Sequence, residues 1–223
     1  MIRTRFLDKD EIKIDKQEVY RYLGHKGQEI DEECKRIIDE CICEIQGSLS
    51  CKACYEYFPI KENDGYIDLG FCKTQSRDLS KNLSGCSEII LFAATVGVQT
   101  DRIISKYNMT SPVHALVAQA AGAAAVEEWC DILCREFAQT EKKKKRYLRP
   151  RFSPGYGDLS LDIQRVVFDV LDCNRKIGAT LTESFLMVPT KTVSAIVGIT
   201  DNSTNNCGEG CGACEKKDCE FRR

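Results

Sequence analysis

Two stretches of this chain carry residues whose types and spacing could do chemistry. The first reads Arg149-Pro150-Arg151-Phe152-Ser153-Pro154-Gly155-Tyr156. Proline before glycine suits a turn whose third position takes a positive φ, and a glycine lets a ligand touch bare backbone. An arginine fork grips a carboxylate through two hydrogen bonds, and the face of a tyrosine ring attracts a sulfonium or ammonium cation. S-adenosylmethionine carries all three groups. The plainer reading is a surface turn between two helices whose arginines meet water, and the residues of the stretch alone leave both readings open.

The second stretch is Cys207, Cys211, Cys214 and Cys219, with three, two and four residues between successive cysteines and glycines among them. Thiolates this close can wrap one tetrahedral ion or one cubane, and glycine permits the tight turns between them. Cysteine-only ligation serves a 4Fe-4S cluster and zinc alike, so a cluster is the expectation and zinc the alternative. The first three cysteines also show the spacing of radical S-adenosylmethionine enzymes. Cys219 argues against that family, because its thiolate can close the iron that such enzymes keep open for the cofactor.

The rest of the composition narrows the function classes. A formal charge of -2 with acids and bases interspersed offers no broad basic face, so nucleic acid is not expected as a partner. No apolar run reaches the roughly 20 residues of a membrane span. The start, Met-Ile-Arg-Thr-Arg-Phe, lacks the apolar core of a signal peptide, and with 14 cysteines in no secreted framework the expectation is a reducing cytoplasm. Cys34, Cys41, Cys43, Cys72, Cys86, Cys130, Cys134 and Cys173 lie in apolar or helical contexts and read as packing residues. One domain over residues 1–200 and a cysteine-rich tail over 201–223 are expected.

The elements that must position these residues are legible in part. Apolar residues at helical spacing from Cys34 to Ile45 predict an amphipathic helix starting at Ile30-Asp31 and ending near Gly47. Cys51 and Cys54 have the spacing of half a metal site or of a redox pair, but Ala53 to Phe58 alternates like a strand, which would turn the two thiols to opposite faces. Another short strand is expected over Tyr66 to Cys72, and Glu88 to Thr95 is an apolar run of central-strand length. A helix should span about Gln99 to Tyr107. Ser111-Pro112 then starts a long alanine-rich helix from Val113 to about Arg146. On it Glu127 and Asp131 share a face; either could take the ammonium of an amino-acid-like ligand, or they simply mark the face that meets water. Beyond the Pro-Gly loop, Asp158 or Ser160 can cap a helix that stops before Gly178. Glu183 to Val188 and Thr192 to Ile199 alternate as two strands joined by a tight hairpin at Pro189-Thr190-Lys191.

From Arg151 to Thr200 the chain resembles the activation domain of cobalamin-dependent methionine synthase. Two blocks carry the resemblance: Arg151-Phe-Ser-Pro-Gly155-Tyr156, similar to that family's Arg, three residues, Gly-Tyr motif, and Leu181-Thr-Glu183-Ser-Phe-Leu-Met187 with Pro189 and a strand containing Ser194. Residues 86–137 fit more loosely. The resemblance implies an α+β fold, a twisted, mostly antiparallel sheet with flanking helices, and a free-standing relative of that domain. It implies S-adenosylmethionine as cofactor, with Arg151 on the methionine carboxylate, Ser153, Gly155 and Tyr156 lining the ligand, and Glu183 or Glu127 on the ammonium; Glu183 is otherwise a salt-bridge partner for Arg151. The implied task is reductive methylation, in which cob(II)alamin on a methionine synthase or other corrinoid protein takes one electron and then the methyl group. The family's large enzymes follow Gly-Tyr with Pro-Ala-Cys-Pro, whereas Gly157-Asp158-Leu159-Ser160 stands here. The sequence has no Asp-x-His-x-x-Gly pattern to supply cobalt with a histidine, so cobalamin is expected only on a partner, with a flavodoxin or ferredoxin as electron source. Two other classes share these features: a methyltransferase acting on a small molecule without a corrinoid, and an electron-transfer or zinc-docking module that relies on the tail.

Overall fold

A computed structural model of the protein describes residues 1–202 except 26, 28 and 64. The cysteines at 207, 211, 214 and 219 lie outside the described residues. In chain order the elements are β1 (Arg3–Leu7), a short 3-10 helix (Lys9–Glu11), α1 (Lys16–Tyr22), α2 (Glu32–Ser48), β2 (Cys51–Pro59), β3 (Lys61–Asn63), β4 (Tyr66–Asp68), β5 (Lys73–Thr74) and α3 (Arg77–Leu83). There follow β6 (Glu88–Thr95), α4 (Val98–Thr110), α5 (Pro112–Lys142), β7 (Tyr147–Leu148), α6 (Ile163–Val170), α7 (Cys173–Ile177), β8 (Thr180–Leu181), β9 (Met187–Val188) and β10 (Thr192–Thr200). No helix among the described residues is long and apolar enough to cross a membrane.

Five strands form one sheet in the order β1-β2-β6-β10-β7. β1 runs antiparallel to β2, with Arg3 opposite Tyr55 and Leu7 opposite Cys51. Backbone bonds from Ser50 N to Val96 O and from Ile60 N to Ser87 O place β6 antiparallel to β2. Bonds from Val96 N to Lys191 O and from Ser87 N to Ile199 O do the same for β10. β7 is an antiparallel edge, Leu148 opposite Ile199. The expected α+β architecture with a mostly antiparallel sheet is therefore what the chain adopts.

By contacts the chain divides into two compact units. The first comprises Met1–Glu56, Phe92–Cys134 and Val167–Ser194. Here α2 starts at Asp31, whose carboxylate accepts from Cys34 N at 2.7 Å, and it buries Ile38, Cys41 and Ile45. Cys34 and Cys43, read as packing residues, are exposed on this helix, because its buried stripe is narrower than its apolar composition suggests. Trp129 is fully buried and its indole N–H donates to Lys52 O at 3.2 Å. Cys51 and Cys54 stand on β2, both buried; the Cys54 sulfur lies 3.8 Å from that of Cys173. That shared contact, with burial, raises Cys173 far above the usual thiol range.

The same unit corrects two expectations. β9 pairs with β8, not with β10: Leu181 lies opposite Met187 and Thr180 opposite Val188. Thr182 closes the connection, its backbone N–H donating to Leu186 O and its hydroxyl accepting from Leu186 N, while Phe185 takes φ 62°. These local bonds outcompete an extended pairing, so Glu183 sits in a turn rather than at the start of a strand. The helix expected up to Gly178 is likewise split, because Asp172 adopts a left-handed φ of 49° between α6 and α7.

The second unit comprises Tyr57–Leu91, Arg135–Val166 and, among the described residues, 195–202. Its core gathers Leu69, Leu79, Leu83, Phe137, Leu148, Leu159 and Ile196. α5 ends here at Lys142, short of the expected Arg146, because Lys145 turns left-handed at φ 60° and Arg146 N returns to Glu141 O. The Glu141 side chain is wholly buried and is paired with Lys144 at 2.9 Å and with Arg146, which also reaches Glu88. Burial alone would raise Glu141, but the hydrogen bonds from Lys144 and Arg146 outweigh it and hold the carboxyl below its ordinary value of 4.5. Its contribution to stability is therefore present above that value and is lost as pH falls through the lower folded value. Glu141→Gln should cost roughly 3 kcal/mol, the range for breaking one side of a buried pair, and should flatten the acid limb of stability measured by urea denaturation between neutral and acid pH.

Candidate functional site

β10 presents an outer edge, and the Arg149–Tyr156 stretch is fastened to it. Arg149 N donates to Gly198 O at 2.8 Å, and Phe152 exchanges two bonds with Ile196, at 2.9 and 2.8 Å. Arg151 thus lies between two backbone anchors, half-buried. Close approach at the first anchor depends on Gly198. A Cβ there would stand 2.7 Å from Cys86 Sγ, 2.8 Å from Leu83 Cδ2 and 3.1 Å from Arg149 Cγ.

The chain then turns over Ser153, Pro154, Gly155 and Tyr156. Tyr156 N donates to Ser153 O at 3.1 Å and Gly155 has φ 88°, which is the third position of a type II turn with proline at the second. The positive φ read from the Pro-Gly pair is present. Pro154 is buried and Gly155 is exposed. Gly155 N donates to Leu159 O and Leu159 N to Tyr156 O, and the buried Leu159 side chain plugs the loop into the core of its unit. Tyr156 is 60% exposed, and its ring meets Phe152 edge-on at 6.3 Å. Within six residues the chain thus carries a half-buried Arg151, Ser153, an exposed backbone position at Gly155 and a largely exposed Tyr156 ring.

Beyond the turn the loop is held by α3, an arrangement the sequence reading missed. Asp158 was expected to cap the following helix. Instead its carboxylate accepts from Ser76 Oγ, from Arg77 N at 2.8 Å and from Asp78 N at 3.2 Å, at the start of α3. Asp78 returns the bond, its carboxylate accepting from Asp158 N at 3.2 Å. The Ser76 hydroxyl, followed by the two amides, holds the Asp158 carboxyl below the usual aspartate range. Gly157, with φ 53°, leaves no space for a side chain: a Cβ would lie 2.2 Å from Asp78 Oδ2. Ser160, the other expected cap, stays local, accepting from Asp162 N at 3.2 Å. Ser76 itself was recognisable as a helix cap, accepting from Leu79 N at 3.0 Å, but no local signal links it to a residue 82 positions away.

Glu127 and Glu183 stand in the first unit. Glu127 is half-buried in α5, and Glu183 is exposed in the turn between β8 and β9. In that unit the segment after Pro189 is fixed by Asp101, which accepts from Thr190 N at 2.7 Å and Thr190 Oγ1 at 2.6 Å. Lys191 donates to Gln119 Oε1 at 2.7 Å, and burial lowers its amine below the usual lysine range. Neither histidine has the surroundings of a metal ligand: His25 packs on Tyr20, and His114 Nδ1 bonds the Ser111 hydroxyl at 2.8 Å. Among the described residues no group of three or more His, Cys, Asp or Glu side chains could hold a metal ion.

Comparison with known proteins bears on this arrangement. The crystal structure of the MetH reactivation domain bound to AdoHcy is similar in fold, with a TM-score of 0.65 at 16% identity over 89% of this chain and 78% of that chain. No curated protein matches the sequence. A family model described as the vitamin B12 dependent methionine synthase activation domain matches residues 77–209. That span begins at the first residue of α3 and takes in β6, α5, the Ser153–Tyr156 turn, Asp158 and β10. Covering more than half of the sequence, it establishes that the chain belongs to the family of vitamin B12 dependent methionine synthase activation domains.

Proposed function

We propose that this chain binds S-adenosylmethionine at the Arg151–Tyr156 loop and delivers its methyl group to the cobalt of a partner, restoring an oxidised methionine synthase or related corrinoid protein. The observation that carries this reading is the Ser153–Tyr156 turn, which exposes Gly155 and the Tyr156 ring shortly after Arg151 in the chain. Family membership supports it, as does a shared fold with a reactivation domain that binds AdoHcy, the product left when S-adenosylmethionine gives up its methyl group.

In this reading the Arg151 fork holds the methionine carboxylate, and Gly155 and Ser153 let the ligand lie against the backbone. The Tyr156 face meets the sulfonium, whose positive charge a ring quadrupole favours. Glu127 and Glu183 stay as proposed acceptors of the ammonium group, each to be read by its glutamine variant. The partner's cobalt takes one electron before it takes the methyl group, and the sequence of this chain contains no Asp-x-His-x-x-Gly pattern to ligate it. A flavodoxin or ferredoxin supplies that electron, directly or through the tail. The protein acts in the cytoplasm, with residues 1–200 as the activation-type domain and 201–223 as the tail.

Cys207, Cys211, Cys214 and Cys219 are proposed to hold a 4Fe-4S cluster, with zinc as the alternative. A cluster there would carry the single low-potential electron; zinc has no accessible redox step and would serve only as a clip.

Arg151→Ala should weaken S-adenosylmethionine binding by about 1.5–3 kcal/mol in calorimetric titration while the thermal midpoint holds, the range for a charge-assisted contact. Unchanged affinity would show that the loop has been misassigned. With reductant and S-adenosylmethionine present, the protein should accelerate methylation of a methionine synthase fragment loaded with cob(II)alamin, and equal rates with and without it would remove the reactivation role. Protein prepared without oxygen should contain about four iron and four sulfide per chain, lost in Cys211→Ser or Cys214→Ser with S-adenosylmethionine binding retained. Stoichiometric zinc without iron would move the electron source wholly to a partner.

A further inference from the structure

α3 holds both ends of the loop. At its C-terminal end Asn82 Nδ2 donates to Pro150 O at 3.4 Å, and Arg149 Nη2 donates to the carbonyl of Ser84, the residue after Leu83, at 2.6 Å. At its N-terminal end stands the exchange between Asp158 and Ser76, Arg77 and Asp78. Seven helical residues span about 10 Å, so the helix acts as a brace that sets the distance between the two ends. Within the loop, Gly155 and Gly157 both take left-handed φ values, and glycine has the widest choice of alternatives to abandon on ordering. The bonds of Asp158 to the Arg77 and Asp78 amides are exposed, its bond from the buried Ser76 hydroxyl is partly covered, and Leu79 and Leu159 are buried on either side.

We propose that Asp158 is a positioning residue for S-adenosylmethionine: by locking onto Ser76 and the first amides of α3, it keeps the Ser153–Tyr156 turn in its binding form before the ligand arrives. This rests on the assignment of the loop to that ligand. Asp158 touches no ligand atom in this scheme and acts through the turn. A site that holds its competent form only a fraction of the time binds more weakly by that fraction, so a loop correct one-tenth of the time loses about tenfold in affinity.

The test combines calorimetric titration with S-adenosylmethionine and hydrogen exchange of the unliganded full chain, for the wild type, Asp158→Ala and Asp158→Asn. Asp158→Ala removes every acceptor and should bind about tenfold more weakly, with faster exchange at the Gly155, Tyr156 and Leu159 amides. Asp158→Asn keeps one oxygen for Ser76 and Asp78 N but turns an N–H toward Arg77 N, so its loss should be smaller. Saturating S-adenosylmethionine should return loop exchange in Asp158→Ala to the wild-type rate, and in the unliganded variant the core amides of β6 should exchange at the wild-type rate, which general destabilisation would not allow. Wild-type binding matched within about twofold by Asp158→Ala overturns this proposal and leaves the loop assignment standing. Weakened binding with unchanged loop exchange overturns it as well. A wild-type protein that takes up no S-adenosylmethionine overturns the loop assignment, and the proposal with it.

Discussion

From Ile89 to Thr95 no residue of β6 is reached by water, so each amide and carbonyl along that run must be met by a neighbouring strand. β2 and β10 meet them, both antiparallel, and this obligation fixes where β10 runs. β10 then has an outer edge of its own to satisfy. β7 pairs with Ile199 and Thr200, and Arg149 and Phe152 take the edge at Gly198 and Ile196. The loop proposed to hold S-adenosylmethionine is thus an irregular continuation of sheet pairing. Arg151 owes its fixed backbone to a strand that carries none of the ligand groups.

The two halves of the loop are held by different physics. Its entrance is a backbone ladder on β10, admitted by Gly198 and flanked by the side-chain bonds of Asn82 and Arg149. Its exit depends on side chains, with two carboxylates and a serine hydroxyl exchanging bonds across the start of α3. This chain has Gly157-Asp158 where the large enzymes it resembles have Pro-Ala. Alanine at the Asp158 position would keep the backbone N–H but offer no side-chain acceptor, so the bonds from Ser76, Arg77 and Asp78 belong to this chain's own version of the motif.

What could be read beforehand follows from the range of the forces involved. The unbroken apolar run of β6, the capped periodic helix α2 and the Pro-Gly turn are local patterns whose causes lie within a few residues, and each is where the sequence put it. The misplacements have non-local or competing causes. Glu183 to Val188 alternates like a strand, yet the Thr182 hydroxyl captures Leu186 N and makes a turn of it. β7, with two residues, is too short to show a period. Asp158 resembled a cap for the helix beside it because aspartate caps helices wherever it finds free amides. The amides it found were 81 and 80 positions earlier in the chain.

Gly198 has an ordinary strand conformation, and nothing in its own neighbourhood of sequence advertises it. Yet Cys86, Leu83 and Arg149 all close on the space where its side chain would be. A side chain there would have to displace Cys86, Leu83 and the stem of Arg149, the residue whose amide ties the loop entrance to β10. Under the proposed assignment of the loop, a missense change there would score in a genetic screen as a weakened-binding allele, relieved by raising the internal supply of S-adenosylmethionine. Ranking alleles by their closeness to Arg151 in sequence would file it with harmless changes.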